Sequence, residues 1–183
     1  MNSEHAPTAT PLEPLVMPTS LSGAVFSDCR SYRYALWRRW GSGVDSPWGS
    51  LVAFVGLNPS TADEMADDPT IRRCKGFAVA WGFDGMLMLN LFAFRATDPK
   101  NMKSFPLPVG VLNDNVIHEV QSTCDAVVCC WGSHGDWLNR GEKVRDDLRL
   151  MCREKLFHLG LTAGGQPKHP LYLKATTPRV LWA

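Results

Sequence analysis

An α/β fold, a three-layer αβα sandwich around a four-stranded and mainly parallel central sheet, is predicted by three features of the sequence. Apolar runs alternate with stretches of helical periodicity, as βαβ units require. The runs "LVAFVGL" (51–57) and "AVVCCW" (126–131) are continuously apolar, as in strands buried on both faces. The segments between them are long enough to carry the crossover helices that parallel strands need.

The elements follow in order. Residues 1–22, rich in Pro, Thr and Ser, are expected to form a flexible N-terminal arm, with a single domain over 23–183. "YRYALWRRW" (32–40) is aromatic and alternating, which predicts a strand, and "GSGVDSPWGS" after it is turn chemistry. Strand 51–57 comes next. Asp68 suits a helix N-cap, Pro69 the first helical position and Gly82 the residue past the end, with Ile71, Cys74, Ala78 and Trp81 at helical spacing between. A second buried strand is expected at 86–94, and a helix over 109–124 with Leu112, Val116, Ile117 and Val120 on one face. Strand 126–131, a helix over 138–152 with Val144, Leu148 and Met151 inward, and a fourth strand at 155–161 complete the pattern.

Composition bounds the function. A chain of 183 residues with 45% hydrophobic content suits one domain with a sizeable core. Nineteen basic residues against eighteen acidic ones give a formal charge of +1. That balance lacks the basic excess usual for nucleic-acid binders, though a local basic stripe can sit inside a neutral total. The six cysteines (29, 74, 124, 129, 130 and 152) form no CxxC and read as buried free thiols in a reducing compartment. No secretory signal and no membrane-length apolar run is found, so a soluble, cytoplasmic monomer is expected, with no metal and no cofactor.

In open α/β sheets ligands bind beyond the carboxyl ends of the strands. The residues to read for function are therefore "GLNPST", "LNLFAFR", "WGSHG" and "GLTAGGQPKHPLYL". Asn58 in a loop can be turn chemistry. Asn90 inside an apolar strand must find hydrogen bonds or destabilise the fold, so it is either satisfied internally or reserved for a ligand.

The motifs "GLNPS" (56–60), "LMLNLFAFR" (87–95), "WGSHG" (131–135) and "HPLYL" (169–173) resemble, in the same order, those of the uracil-DNA glycosylase-like superfamily. The fuller pattern, "LNPSTA", "DDPTIRRC", "NLFAFRATDP" and "HPLYL", is similar to that of a bacterial and phage family of unknown function, which implies the fold but no activity. The superfamily resemblance implies the sandwich fold and an N-glycosidase-like hydrolase acting on a modified or mismatched base in nucleic acid. By it, Asn58 holds the attacking water, Asn90 reads the polar edge of the base, and His169 hydrogen-bonds the base carbonyl as negative charge builds. Gly56, Leu57, Pro59 and Ser60 complete the first motif around the substrate, and Leu173 is the wedge that fills the gap left in a duplex. Ser60 stands where uracil-selective members carry Tyr, which implies room for thymine-like or larger bases.

Other residues carry alternatives. Arg72 and Arg73 lie early in a helix near any bound phosphate and, with Arg95, Lys168 and Lys174, could form a basic lip or be merely solvated. Tyr172 could stack on a base or pack in the core. Asp63, Glu64, Asp67 and Asp68 could hold a divalent cation, or cap the helix and meet solvent. His134 is an acid–base candidate or a loop residue. Two further functions stay open: a non-catalytic module that binds nucleic acid or nucleotides, and an enzyme acting on free nucleotides.

Overall fold

The structure, a computed structural model, describes residues 20–41 and 49–182. Most of the expected arm (1–19) and most of the "GSGVDSPWGS" turn (42–48) lie outside the described residues. The strands are β1 (Ser22–Phe26), β2 (Arg33–Arg39), β3 (Leu51–Gly56), β4 (Gly85–Asn90), β5 (Ala126–Cys129), β6 (Leu156–His158) and β7 (Val180–Leu181). The helices are α1 (Pro69–Ala80), α2 (Pro99–Ser104), α3 (Asn113–Thr123) and α4 (Arg140–Cys152).

The fold is α/β, but its sheet is not the four-stranded, mainly parallel one expected. Seven strands form one mixed sheet in the order β1-β2-β4-β3-β5-β6-β7. The β4–β3, β3–β5 and β5–β6 pairs are parallel. The β1–β2, β2–β4 and β6–β7 pairs are antiparallel. The reason lies in the connections. A parallel neighbour needs a crossover helix, and the short turn between β1 and β2 leaves no room for one. β7 is two residues long and follows an irregular segment, so no periodicity announces it.

Helices cover both faces. On one, Ile71, Cys74, Phe77 and Ala78 of α1 pack on Phe54, Met88 and Val128. On the other, Val116, Ile117 and Val120 of α3 and Val144 and Leu148 of α4 pack on Val55, Leu89 and Val127. Strands β3, β4 and β5 are buried along their whole length, which is why their sequences run apolar without alternation.

Several boundaries shift for identifiable reasons. Helix α1 starts as expected, with the Asp68 carboxylate accepting from Ile71 N at 2.9 Å and Pro69 in the first turn. Trp81 caps its end rather than belonging to it, and stacks on Phe77 and Phe54. Gly110 at φ 80° breaks the chain before α3, which begins at Asn113 instead of 109. Leu138 and Asn139 adopt left-handed backbone, so α4 begins at Arg140 rather than 138. Met151 of α4 is 38% exposed, and Cys152 takes the buried position expected for it. The 86–94 strand stops at Asn90, and the 155–161 strand at His158. Five cysteines are buried as expected, but Cys29 is exposed, and hydrogen bonds from Ser27 and Ser31 lower its thiol to about 7. Among the described residues no helix is long and apolar enough to cross a membrane.

Candidate functional site

The carboxyl ends of β3, β4 and β5 open into a cavity of about 560 Å³. The first turn of α1 closes one side, and the turns at 131–134 and 169–172 close others. The expected residues Gly56, Leu57, Asn58, Ser60, Asn90, His169 and Tyr172 all line it. Asn58, Asn90 and His169, whose positions in the chain are far apart, are thereby brought together by the sheet.

Asn90 is a buried polar residue of the cavity wall. It is 1% exposed, and neither Oδ1 nor Nδ2 has a hydrogen-bond partner among the described residues. Such a group is destabilising unless something satisfies it. Gly56 lies beside it in the parallel ladder, and a Cβ there would stand 3.1 Å from Asn90 Oδ1. The glycine therefore leaves the amide its space. The backbone around Asn90 is clamped from behind: Asn113 Nδ2 donates to the Asn90 and Leu91 carbonyls at 2.9 and 3.0 Å. Arg140 Nε donates to the Leu91 carbonyl at 2.9 Å, and its guanidinium pairs with Asp114. Neither Asn113 nor Arg140 stands out in the sequence, since each reads as an ordinary polar helix residue.

Asn58 is half-buried. Its Nδ2 donates to the Pro59 carbonyl at 3.0 Å and the Ala96 carbonyl at 2.7 Å. Both amide hydrogens are so engaged, and Oδ1, an acceptor, is the atom it can present to a bound water. His169 caps the short 170–172 turn, its Nδ1 accepting from Leu171 N at 3.4 Å. A neutral ring that accepts at Nδ1 carries its proton on Nε2 and is a donor there. Burial pushes the imidazole below its ordinary value, opposed by the Asp68 carboxylate, which also lines the cavity.

Pro59, Leu173 and the basic residues fall outside the cavity wall. Pro59 is buried, its carbonyl taken by Ala96 N and Asn58. Leu173, the expected wedge, packs against the core, and Leu171 and Tyr172 are the exposed residues at the mouth. Tyr172 is 87% exposed with its ring 5.7 Å from that of His169, so it is not core packing. Arg72 donates to the Asp67 carbonyl, and Arg73 donates to the Pro170 and Leu173 carbonyls, anchoring the 170–173 turn. Arg95 donates to the Arg30 carbonyl at 3.2 Å. None of these arginines, nor Lys168 or Lys174, lines the cavity. His134 does, with its Nδ1 3.4 Å from Lys103 Nζ.

The acidic segment has protein partners. Glu64 pairs with Arg30 at 2.8 Å and Asp67 with Arg38 at 2.7 Å. Asp63 accepts from the Met65 and Ala66 amides, and Asp68 caps α1. Among the described residues no group of three His, Cys, Asp or Glu is placed to hold a metal ion.

Sequence reading missed Arg33 on the cavity wall, buried to 1% exposure. Its signal was a charge inside the aromatic strand "YRYALWRRW".

Burial also lowers His158, so two histidines favour their neutral forms in the folded chain. The unfolded chain then binds more protons just below the ordinary value of 6.5. Their stabilising contribution is complete above that value and is lost as pH falls through the lower folded values. Thermal unfolding should therefore show Tm falling from about pH 7 to pH 5, and replacing both histidines by Gln should flatten that slope.

Residues 33–171 match the protein family described as Protein of unknown function (DUF1643). No curated protein and no solved structure matches the chain.

Proposed function

We propose that this chain, which belongs to the DUF1643 family, recognises a nucleobase in its cavity and hydrolyses the N-glycosidic bond that holds it. The observation that carries the reading is Asn90, a buried amide on a cavity wall whose donor and acceptor are both unmatched among the described residues. A base edge presents the complementary acceptor and donor side by side, which an amide can meet and a carboxylate cannot. In the proposed reaction water adds to the anomeric carbon as the C–N bond breaks, and the base departs as an anion that then takes up a proton. Asn58 Oδ1 accepts a hydrogen bond from the water and orients it. His169, donating from Nε2 while neutral, stabilises charge where it develops on the base. The motif resemblance gives the substrate as a modified or mismatched base in nucleic acid.

A second reading, action on a free nucleotide, is supported by Arg72 and Arg73. Both guanidiniums are tied to backbone carbonyls of their own chain. A protein that tracks a phosphate backbone gains affinity from free cations along its groove.

The test is release of base from single- and double-stranded oligonucleotides and from nucleotides carrying uracil, 5-hydroxymethyluracil, thymine mismatches or deaminated purines. The Asn58→Ala, His169→Ala double variant should lose at least about 100-fold in rate, the size of effect seen on removing a preorganised donor. Release that is unchanged in the double variant, or absent from every substrate with the native chain, overturns hydrolysis; binding without release leaves a recognition module.

A further inference from the structure

Arg33 has no role in the reading above, yet it is the most deeply buried cation on the cavity wall. It opens β2, whose neighbour in the sheet is β4, the strand that ends on Asn90. Its side chain is 1% exposed. Nη1 donates to the Ala62 carbonyl at 2.9 Å, and Nε has no hydrogen-bond partner among the described residues. Nor does the guanidinium form an ion pair among them: Arg38 has Asp67 and Arg140 has Asp114, but Arg33 has no carboxylate in contact. Burial holds its pKa down to about 10, a cost that the more distant Asp68 offsets only in part and that Arg95 and Arg38 deepen.

A buried cation without a counter-ion is among the most destabilising features a fold can carry. It persists where an anion completes it. A planar guanidinium presents paired N–H donors that match a phosphate or carboxylate in two-point contact. Arg33 and Asn90 line the same cavity, each almost wholly buried, each with an unmatched polar atom. A ligand that satisfies both must carry an anionic oxygen group and a base-like edge in one molecule.

Depth decides which phosphate it is. An interior phosphodiester has chain leaving on both sides, and a guanidinium 1% exposed cannot receive it without both arms entering the cavity. A terminal phosphate has one connection and can point inward.

We propose that Arg33 is the anion-binding residue of the cavity and takes the terminal phosphate of a nucleotide, so that the ligand is a nucleoside monophosphate rather than an interior residue of a nucleic acid. The proposal rests on the base-recognising reading above and, between its two substrates, selects the free nucleotide over nucleic acid.

Calorimetric titration of the full chain with three sets of probes tests it. The sets are uridine, thymidine, inosine and guanosine; their 5′-monophosphates; and trinucleotides with the same residue in the middle. The monophosphate of the preferred base should bind at least about tenfold more tightly than its nucleoside, as a charge-assisted two-point contact implies, and more tightly than the trinucleotide. In Arg33→Met that gap should close while nucleoside affinity stays within about threefold, because an apolar chain of similar length replaces an unpaired buried cation and the fold should tolerate it. A nucleoside that binds the native chain as tightly as its monophosphate overturns the proposal and leaves base recognition standing. A trinucleotide that binds more tightly than the monophosphate overturns it in favour of a polymer. A gap that persists in folded Arg33→Met moves the phosphate off Arg33 and also overturns it. No binding by any probe overturns base recognition and the proposal together.

Discussion

Replacing Asn90 by Leu should give a protein that is more stable than the native chain and that binds nothing in its cavity. The side chain is 1% exposed, and both its polar atoms are unmatched among the described residues. Each unsatisfied buried polar group costs about 1–3 kcal/mol, and replacing it by an apolar group of similar shape recovers part of that. Leu has the branched shape of Asn but is larger, so no void follows, and the adjoining cavity gives the extra bulk room. The gain is bounded by Gly56, whose Cβ position lies 3.1 Å from Asn90 Oδ1. A net stabilisation of about 1–2 kcal/mol, or a rise of a few degrees in Tm for a chain of this size, is expected. Ligand binding should vanish at the same time, because the buried donor and acceptor that the ligand would satisfy are gone. Calorimetric unfolding and titration with the preferred ligand give both readouts. A lower Tm with binding retained would make Asn90 a structural residue and remove the main support for base recognition.

Gly141→Ala in α4 should be destabilising, even though Ala is the better helix former. The exchange normally favours a helix by about 1 kcal/mol. At this site a Cβ would lie 2.7 Å from the Gly135 carbonyl oxygen, 2.9 Å from Trp131 Nε1 and 3.0 Å from Gln166 Oε1. The first of these is backbone and cannot swing aside. The other two are the partners of a 2.7 Å hydrogen bond that the methyl would wedge apart. Overpacking costs about 1–3 kcal/mol, and loss of the buried hydrogen bond adds about 1 kcal/mol, so the unfavourable terms win. Gly76→Ala in α1 provides the control. No atom lies within 4 Å of its Cβ position, so there the propensity gain stands alone. Opposite shifts in Tm for the two substitutions are the expected result. A rise for Gly141→Ala would mean that the 131–135 turn yields easily, and would remove the close packing that holds Trp131 on the cavity wall.

The parallel strands β3, β4 and β5 and the helix α1 were legible before any coordinates. Those elements advertise themselves through local chemistry: continuous apolar runs, and a helix framed by Asp68, Pro69 and Gly82. The ends of β3 and β4 and the segment after β6 were enough to pick out Asn58, Asn90 and His169, all of which line the cavity. A polar residue within an apolar strand, as at Asn90, is visible without coordinates because burial makes its type improbable unless it has a use.

The remaining features depend on contacts distant in sequence. The direction of β2, and with it the mixed sheet, follows from which strand it lies beside, a choice that no period in "YRYALWRRW" encodes. The direction of side chains at the cavity rim was equally hidden: Leu173 turns inward and Tyr172 outward because Arg73, on another element, holds the Leu173 carbonyl. The same holds for charge. Arg72 and Arg33 are indistinguishable as letters, yet one is exposed and bonded to its own loop while the other is buried beside a cavity without an ion-pair partner among the described residues. Local propensity acts over a few residues and is written in the sequence, whereas burial and pairing are properties of the assembled fold.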